Sequence, residues 1–138
     1  MTSKEIQIPR KLTTQLLHLA QLSPEFEICG LIGSQNHLPT TCYPITNRAE
    51  PAQLRFLLDA TEQINAMVQM RDAGEELFAI YHSHPTAPAQ PSSTDLAMAT
   101  YPDALHLIIS LNTKGILEMR GFKITNQNAL EIPLMLAD

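Results

Sequence analysis

The sequence predicts one mixed α/β (α+β) domain spanning residues 1–138, with helices packed on a mixed sheet. Three observations carry that prediction. A chain of 138 residues has room for one hydrophobic core and little more. Its 44% hydrophobic content suffices to build that core and sets it apart from a disordered acidic chain. Segments with helical spacing of apolar residues also alternate with short apolar runs bounded by turn residues, the pattern of interleaved helices and strands.

Taken in order, a short strand around Ile6 and Ile8 comes first. Pro9 suits a helix start, where its missing N–H is not needed. Leu12, Leu16, Leu17, Leu19 and Ala20 then recur at helical spacing to about Gln21, and Ser23-Pro24 ends the helix. Residues 26–34, apolar apart from Glu27, predict a buried strand. Gln35-Asn36 predicts a hairpin turn into a second strand over 37–46, whose Pro39 and Pro44 put it at a sheet edge. Residues 47–53 read as loop and Leu54 to Leu58 as a short strand. Asp59, with Glu62 three residues on, makes a capping-box-like start. The helix that follows carries Ile64, Met67, Val68 and Met70 on one face and ends near Gly74. Next come a strand over 77–84, a short helix opened by Ser92-x-x-Asp95, and a strand over 105–111. A turn over 112–115 leads to a partner strand over 116–124, and a last strand over 130–136 is interrupted by Pro133.

Fourteen Asp+Glu against nine Lys+Arg leave a net charge of −5. With no basic cluster, neither nucleic acid nor an anionic membrane is an expected partner. The longest apolar runs, such as 105–111, are strand-sized and well short of the ~20 residues of a membrane span. The opening MTSKEIQIPRK lacks an apolar signal core, and two cysteines make no disulfide framework, so the expected location is cytoplasmic. A Cys29–Cys42 bond is geometrically possible if the second and third strands pair, but is not expected in a reducing compartment.

Chemistry concentrates in Tyr81-His82-Ser83-His84, the loop Pro85 to Pro91, and Ser92-Ser93-Thr94-Asp95. Alternation along a strand puts His82 and His84 on the same face. There they either form a hydrogen-bonded buried pair or ligate one ion, with Asp95 as third ligand if the loop folds back. Three protein ligands leave a position for water, the pattern of a catalytic metal. Ser92-x-x-Asp95 also reads as a helix cap, and both readings hold together, because a cap would fix Asp95. Pro85, Pro88 and Pro91 recur at polyproline II spacing: a stiff joint between ligands, an ordinary surface loop or an SH3-type ligand. Glu27 is either exposed at a strand end or a carboxylate with a catalytic task. Cys29 reads as a small buried hydrophobe rather than a nucleophile. His18, His37 and His106 read as surface or satisfied core residues.

The segment His82-Ser83-His84, seven residues, Ser92, two residues, Asp95 resembles the motif of the JAMM (MPN+ or JAB) metallopeptidase family. Glu27-Ile28-Cys29-Gly30-Leu31-Ile32-Gly33 is similar to its upstream element. The resemblance covers nearly the whole chain and implies a curved mixed β-sheet flanked by helices. It implies Zn2+ held by His82, His84 and Asp95, with Glu27 as general base and then acid, and Ser92 steadying the oxyanion. Ile45-Thr46-Asn47, Arg55-Phe56, Ile80-Tyr81 and Tyr101-Pro102-Asp103-Ala104 look like the family branch that releases cysteine from a ubiquitin-like sulfur-carrier protein. The implied substrate is therefore the C-terminal tail of such a β-grasp carrier. Alternatives are a deubiquitinase-like or desampylase isopeptidase acting on another ubiquitin-like modifier, a non-catalytic MPN scaffold, and an iron oxygenase using the same two histidines and carboxylate. The short chain leaves no room for the insertions that confer polyubiquitin-linkage specificity.

Overall fold

A computed structural model describes residues 5–112 and 118–137. The chain runs β1 (Ile6–Pro9), α1 (Arg10–Gln21), β2 (Cys29–Gln35), β3 (Leu38–Ile45), α2 (Ala60–Asp72), β4 (Glu76–His84), α3 (Ser93–Met98), β5 (Leu105–Ser110), β6 (Glu118–Thr125), β7 (Asn128–Ile132) and β8 (Leu134–Ala137). Six strands form one sheet in the order β3-β2-β4-β5-β6-β7, and β1 pairs with β8 in a separate parallel ribbon. Within the larger sheet β4 and β5 are parallel, so the chain must cross over between them, and α3 lies in that crossover. The predicted mixed α/β class is observed. The edge position expected of the proline-bearing β3 is observed too.

The two tight hairpins use two-residue loops with left-handed backbone. Asn36 and His37 have φ of 51° and 66°, and Asn126 and Gln127 have φ of 50° and 63°. Paired positive φ matches the right-handed twist of the flanking strands. The first turn is thus Asn36-His37, one residue later than the sequence predicts.

Side chains alternate along the central strands, and this divides the core. On one face, Ala79 and Tyr81 of β4 and Leu105, Leu107 and Ile109 of β5 pack beneath Ile8, Leu12 and Leu16. On the other, Leu31 and Ile80 meet Ala66 and Met70 of α2. Further along that second face Ile108, Phe122 and Ile124 pack with Ala89, and Leu96 of α3 leans on them. His82 and His84 share the face of Ile80, in the stretch between α2 and α3.

Several expectations are corrected. β2 begins at Cys29, so Glu27 precedes the strand. Its N–H donates to the Ala52 carbonyl at 2.8 Å, yet the residue is buried. Leu54 to Leu58 forms no strand and contributes one isolated bridge, Leu58 to Asn47. The face predicted for α2 is met in part: Met67 and Met70 pack on the core with Ala66, while Ile64 and Val68 face outward. That helix is apolar on two sides, so periodicity alone does not select the face that docks. Pro133 splits the last predicted strand in two. Ile132 pairs with Gly121 in the large sheet, and Leu134 pairs with Ile6 in the ribbon. Of the predicted 112–115 turn and 116–124 strand, residues 113–117 lie outside the described residues. Cys29 and Cys42 are free thiols, set apart in register because Cys29 faces Ile45 while Cys42 faces Ile32.

Gly30 is where the sheet leaves no room for a side chain. A Cβ there would lie 2.5 Å from the Tyr43 carbonyl oxygen and 2.5 Å from the Tyr81 hydroxyl. The first neighbour is backbone and the second belongs to a fully buried ring, so neither yields cheaply. Gly30→Ala is therefore expected to cost about 1–3 kcal/mol, read by circular dichroism as a thermal midpoint several degrees lower. An unchanged midpoint would mean that Tyr81 has another place to go.

Candidate active site

His82 and His84 stand at the C-terminal end of β4, where ligand sites form beside parallel strands. Asp95 reaches them through local helix chemistry. Ser92 opens α3 with a full capping box: its Oγ accepts from Asp95 N–H at 3.0 Å, and Asp95 Oδ2 accepts from Ser92 N–H at 2.9 Å. The box turns Asp95 inward. Its Oδ2 lies 3.1 Å from His82 Nε2 and 3.1 Å from His84 Nε2, and the two nitrogens are 3.1 Å apart. All three side chains are buried.

The proline loop between them is tied to the body of the protein. His84 Nδ1 donates to the Pro88 carbonyl at 2.8 Å, Ser110 Oγ donates to the Ala87 carbonyl at 2.7 Å, and Ala89 is fully buried. The stiff-joint reading therefore describes this loop better than an exposed recognition motif.

Three donor atoms about one side chain's reach apart suit a single ion. Ligands at ~2.0–2.1 Å from a tetrahedral zinc would lie roughly 3.3 Å from one another, close to the 3.1 Å triangle seen here. The Pro88 carbonyl fixes the His84 tautomer so that the Nε2 lone pair points into the triangle. His82 is steadied by Phe56, whose ring stacks on it at 4.3 Å and 20°. Two imidazole nitrogens and a carboxylate oxygen form a donor set that fits zinc and other first-row metals.

Glu27 faces the same point from the loop before β2. Its carboxylate and the two histidines make a group whose ligand atoms all lie within 4.8 Å of one another. Oε1 is buried with no partner. The Asp95 triangle, with sides of 3.1 Å, is the tighter of these two clusters. Burial pushes the Glu27 carboxyl up to about 8, with His84 opposing and Asp95 adding to the rise. Burial also resists ionisation of Asp95, but hydrogen bonds from His82 and His84 outweigh it and hold Asp95 well below the usual carboxylate range. His82 is pushed down by burial. In His84 the bonds to Asp95 and the Pro88 carbonyl overcome burial and raise it.

This geometry has counterparts. Residues 9–122 match the family described as prokaryotic homologs of the JAB domain. The chain belongs to that family. A CysO-cysteine peptidase of Mycobacterium tuberculosis is 34% identical over 110 residues, covering 78% of this chain and 75% of the relative. A desampylase of Haloferax volcanii is 32% identical over 89 residues, covering 63% and 64%. Among solved structures, a protein of Desulfitobacterium hafniense superposes with a TM-score of 0.84 at 29% identity, covering 96% of this chain and 92% of that one. A JAB1/MPN domain protein from Archaeoglobus fulgidus shares the fold, with a TM-score of 0.62 at 17% identity over 96% and 99% of the two chains. This JAB-family chain is a JAMM-type hydrolase, and its Glu27, His82 and His84 cluster is compatible with a metal.

All five residues singled out by the JAB motif, Glu27, His82, His84, Ser92 and Asp95, come together. Two residues the motif does not name also shape the site. Phe56 stacks on His82, and Asn47 ties the surrounding loops: its Nδ2 donates to the Glu27 and Arg55 carbonyls while its Oδ1 accepts from Ala49 and Leu57 N–H. Their only sequence signal is membership of the Ile45–Asn47 and Arg55-Phe56 stretches. His18 and His37 are exposed as expected. His106 is buried and half satisfied, bonded to the Thr100 backbone while Nε2 has no partner; burial pushes it down to about 4, so it is neutral at pH 7.

Cys29 lies next to this site, and its chemistry is passive. Its thiol donates to the Ile45 carbonyl at 3.4 Å. Burial, then the charges of Glu27 and Glu62, pushes it up to about 12, so the nucleophilic thiolate is scarcely present near neutrality. The native protein at pH 8 is expected to leave Cys29 unlabelled by iodoacetamide in peptide mass mapping, with labelling only after unfolding. Rapid native labelling would contradict this.

Proposed function

We propose that the chain is a zinc-dependent peptidase or isopeptidase that hydrolyses an amide bond at the C-terminal tail of a ubiquitin-like, β-grasp sulfur-carrier protein. The observation that carries the reading is the buried triangle of His82, His84 and Asp95 with the unpartnered Glu27 carboxylate beside it. The names of the mycobacterial and haloarchaeal relatives support the substrate class.

His82, His84 and Asp95 would hold the zinc, which when bound supplies a Lewis acid for the carbonyl and acidifies water. Glu27 takes the proton of the attacking water and returns it to the departing amine. Its buried setting, which disfavours a standing charge, suits a group that must both accept and give a proton. Ser92 Oγ uses a lone pair for the Asp95 N–H, which leaves its hydroxyl hydrogen to donate to the developing oxyanion. Phe56 shields His82 from water while stacking on it.

Two cavities flank the centre and give the substrate a direction. One, of about 530 Å³, is bordered by His82 and Asp95 together with Phe56, Leu58, Met98 and Tyr101. The other, of about 410 Å³, is bordered by Glu27, Leu22, Asn47 and Glu62. Because Glu27 delivers the proton to the leaving nitrogen, the leaving group belongs on its side. The carrier's tail belongs in the first cavity, in extended form. A desampylase-type reaction on another modifier would use the same arrangement. The scaffold reading is disfavoured because no motif position is lost. The iron reading is disfavoured because it leaves Glu27 without a task.

The decisive experiment is metal analysis of the purified protein, followed by incubation with a β-grasp carrier ending in Gly-Gly joined to cysteine, with mass spectrometry of the products. Glu27→Gln is expected to keep stoichiometric zinc and lose about 10²–10⁴ in kcat; near-normal turnover would overturn the general-base role. His84→Ala is expected to lose both zinc and turnover, and unchanged metal content would remove His84 from the ligand set.

Acid should also compete with the metal. A protonated His84 cannot ligate, and its partners raise its pKa in the metal-free protein. Apparent zinc affinity is therefore present above that pKa and lost as pH falls through it, releasing bound metal. Competition titration with a chromophoric chelator at pH 8 and pH 6 should show weaker binding at pH 6. Equal affinities would contradict the assignment.

A further inference from the structure

Glu27 must be positioned from outside its own side chain, because Oε1 is buried without a partner. Its backbone is held instead. The Glu27 N–H donates to the Ala52 carbonyl at 2.8 Å. The peptide group that follows is gripped at both ends. Its carbonyl, on Glu27, accepts from Asn47 Nδ2 at 3.1 Å, and its N–H, on Ile28, donates to Ser83 Oγ at 2.9 Å. The Ile28 carbonyl in turn accepts from the Ser83 N–H at 3.0 Å. Both peptide planes that meet at the Glu27 Cα are therefore fixed, and one of the holds comes from β4 itself.

Ser83 lies between the two histidines in sequence but not in space. Alternation along β4 turns it to the opposite face, that of Ala79 and Tyr81, where the layer is apolar. Ser83 is fully buried there. A hydroxyl in such surroundings is costly unless paired, and its partner is the N–H that follows Glu27. The pairing also departs from a regular ladder. Opposed residues of an antiparallel pair exchange two N–H···O=C bonds, but between Ile28 and Ser83 the second acceptor is the hydroxyl. β2 pairs Cys29 with His82, and continuing that register sets Ile28 opposite Ser83 and Glu27 opposite His84. The hydroxyl thus ends the ladder just before Glu27, whose carboxylate stays with the histidines while its N–H turns to Ala52.

We propose that Ser83 is the positioning residue for the general base: its hydroxyl holds the Ile28 N–H and so sets where the Glu27 carboxylate stands relative to His82 and His84. The proposal rests on the hydrolytic role argued for Glu27 above. One segment of β4 then carries two imidazoles on one face and, through the residue between them, the anchor of the base. Movement of that segment carries histidines and base together, which preserves their separation. Without the hydroxyl, the Ile28 N–H loses its acceptor, and Glu27 is held at Ala52 and Asn47, both in the irregular loop before α2. Displacement of a reacting group by about 1 Å can cost on the order of 10² in rate. The bonds that draw His82, His84 and Asp95 together involve neither Ser83 nor Glu27, so metal binding should be spared.

The test uses zinc-loaded wild type, Ser83→Ala and Ser83→Thr on a β-grasp carrier ending in Gly-Gly joined to cysteine. Ser83→Ala is expected to keep stoichiometric zinc and an unchanged KM, and to lower kcat about tenfold to a hundredfold. Ser83→Thr keeps a hydroxyl and suits a strand, and is expected to recover most of that loss. Added to Glu27→Gln and followed in single turnovers, Ser83→Ala is expected to remove nothing further, since groups that act as a unit are not additive. Amide exchange of the metal-free proteins supplies a readout without turnover. There the Ile28 N–H of Ser83→Ala is expected to exchange at least tenfold faster than in wild type, relative to the amides of β5.

A Ser83→Ala kcat within twofold of wild type would overturn the proposal, as would an equal further loss in the Glu27→Gln background. A well-folded Ser83→Thr no more active than Ser83→Ala would overturn it too. Loss of zinc by Ser83→Ala would overturn it in favour of a role in the metal cradle. Should Ser83→Ala fold poorly, Ser83→Cys, similar in shape but a weak acceptor, is judged by the same criteria. Wild-type enzyme that cleaves no carrier adduct overturns the proposed hydrolysis itself, whereas wild-type cleavage that Ser83→Ala leaves intact overturns only the Ser83 assignment.

Discussion

One carboxylate oxygen organises the catalytic half of this protein. Asp95 Oδ2 accepts from the Ser92 N–H and lies at equal distance from the two histidine nitrogens. A buried carboxylate without partners would be costly, so the loop and helix that deliver Asp95 are fixed by the same contacts that draw His82, His84 and Asp95 together. The capping box is at once the start of α3 and the device that turns Asp95 toward the two histidines.

The cradle depends on how β4 is held. That strand is flanked by β2 and β5 inside a six-stranded sheet, and its two faces are committed to different packing. Tyr81 and Ala79 lock one side beneath α1, while Ile80 meets the α2 cluster on the other. The Gly30 contact belongs to the same constraint, since β2 can lie close to Tyr81 only where no side chain intervenes. The loop joining β4 to α3 is then fastened at His84 and Ser110, which ends β5. Two imidazoles two residues apart would otherwise be free to turn; here sheet, loop and the Phe56 ring fix both.

Much of this was legible in the sequence because it depends on local rules. The same-face placement of His82 and His84 follows from strand alternation, and the Ser92–Asp95 cap from helix-start chemistry. The β3 edge follows from two prolines. What escaped depends on contacts between segments far apart in the chain. Phe56 sits in a stretch that reads as strand but is an irregular loop held by Asn47, and only the folded chain brings it over His82. Glu27 reads as part of a strand because its neighbours are apolar, yet it lies just before one and is buried by packing. In α2 the apolar residues occupy both sides, so hydropathy could not say that Ala66 turns inward with Met67 and Met70 while Ile64 and Val68 turn outward.

The division within α2 bears on how members of this family differ. Glu27, His82, His84 and Asp95 are buried, and hydrogen bonds join the two histidines, Asp95 and Ser92, so changing any one of those four disturbs the others. Ile64 and Val68 face away from that network. Relatives with names as different as CysO-cysteine peptidase and desampylase match 78% and 63% of this chain. Discrimination between carriers is a difference of affinities rather than of chemistry. In such an enzyme it falls to residues that see the partner's body and not the scissile bond.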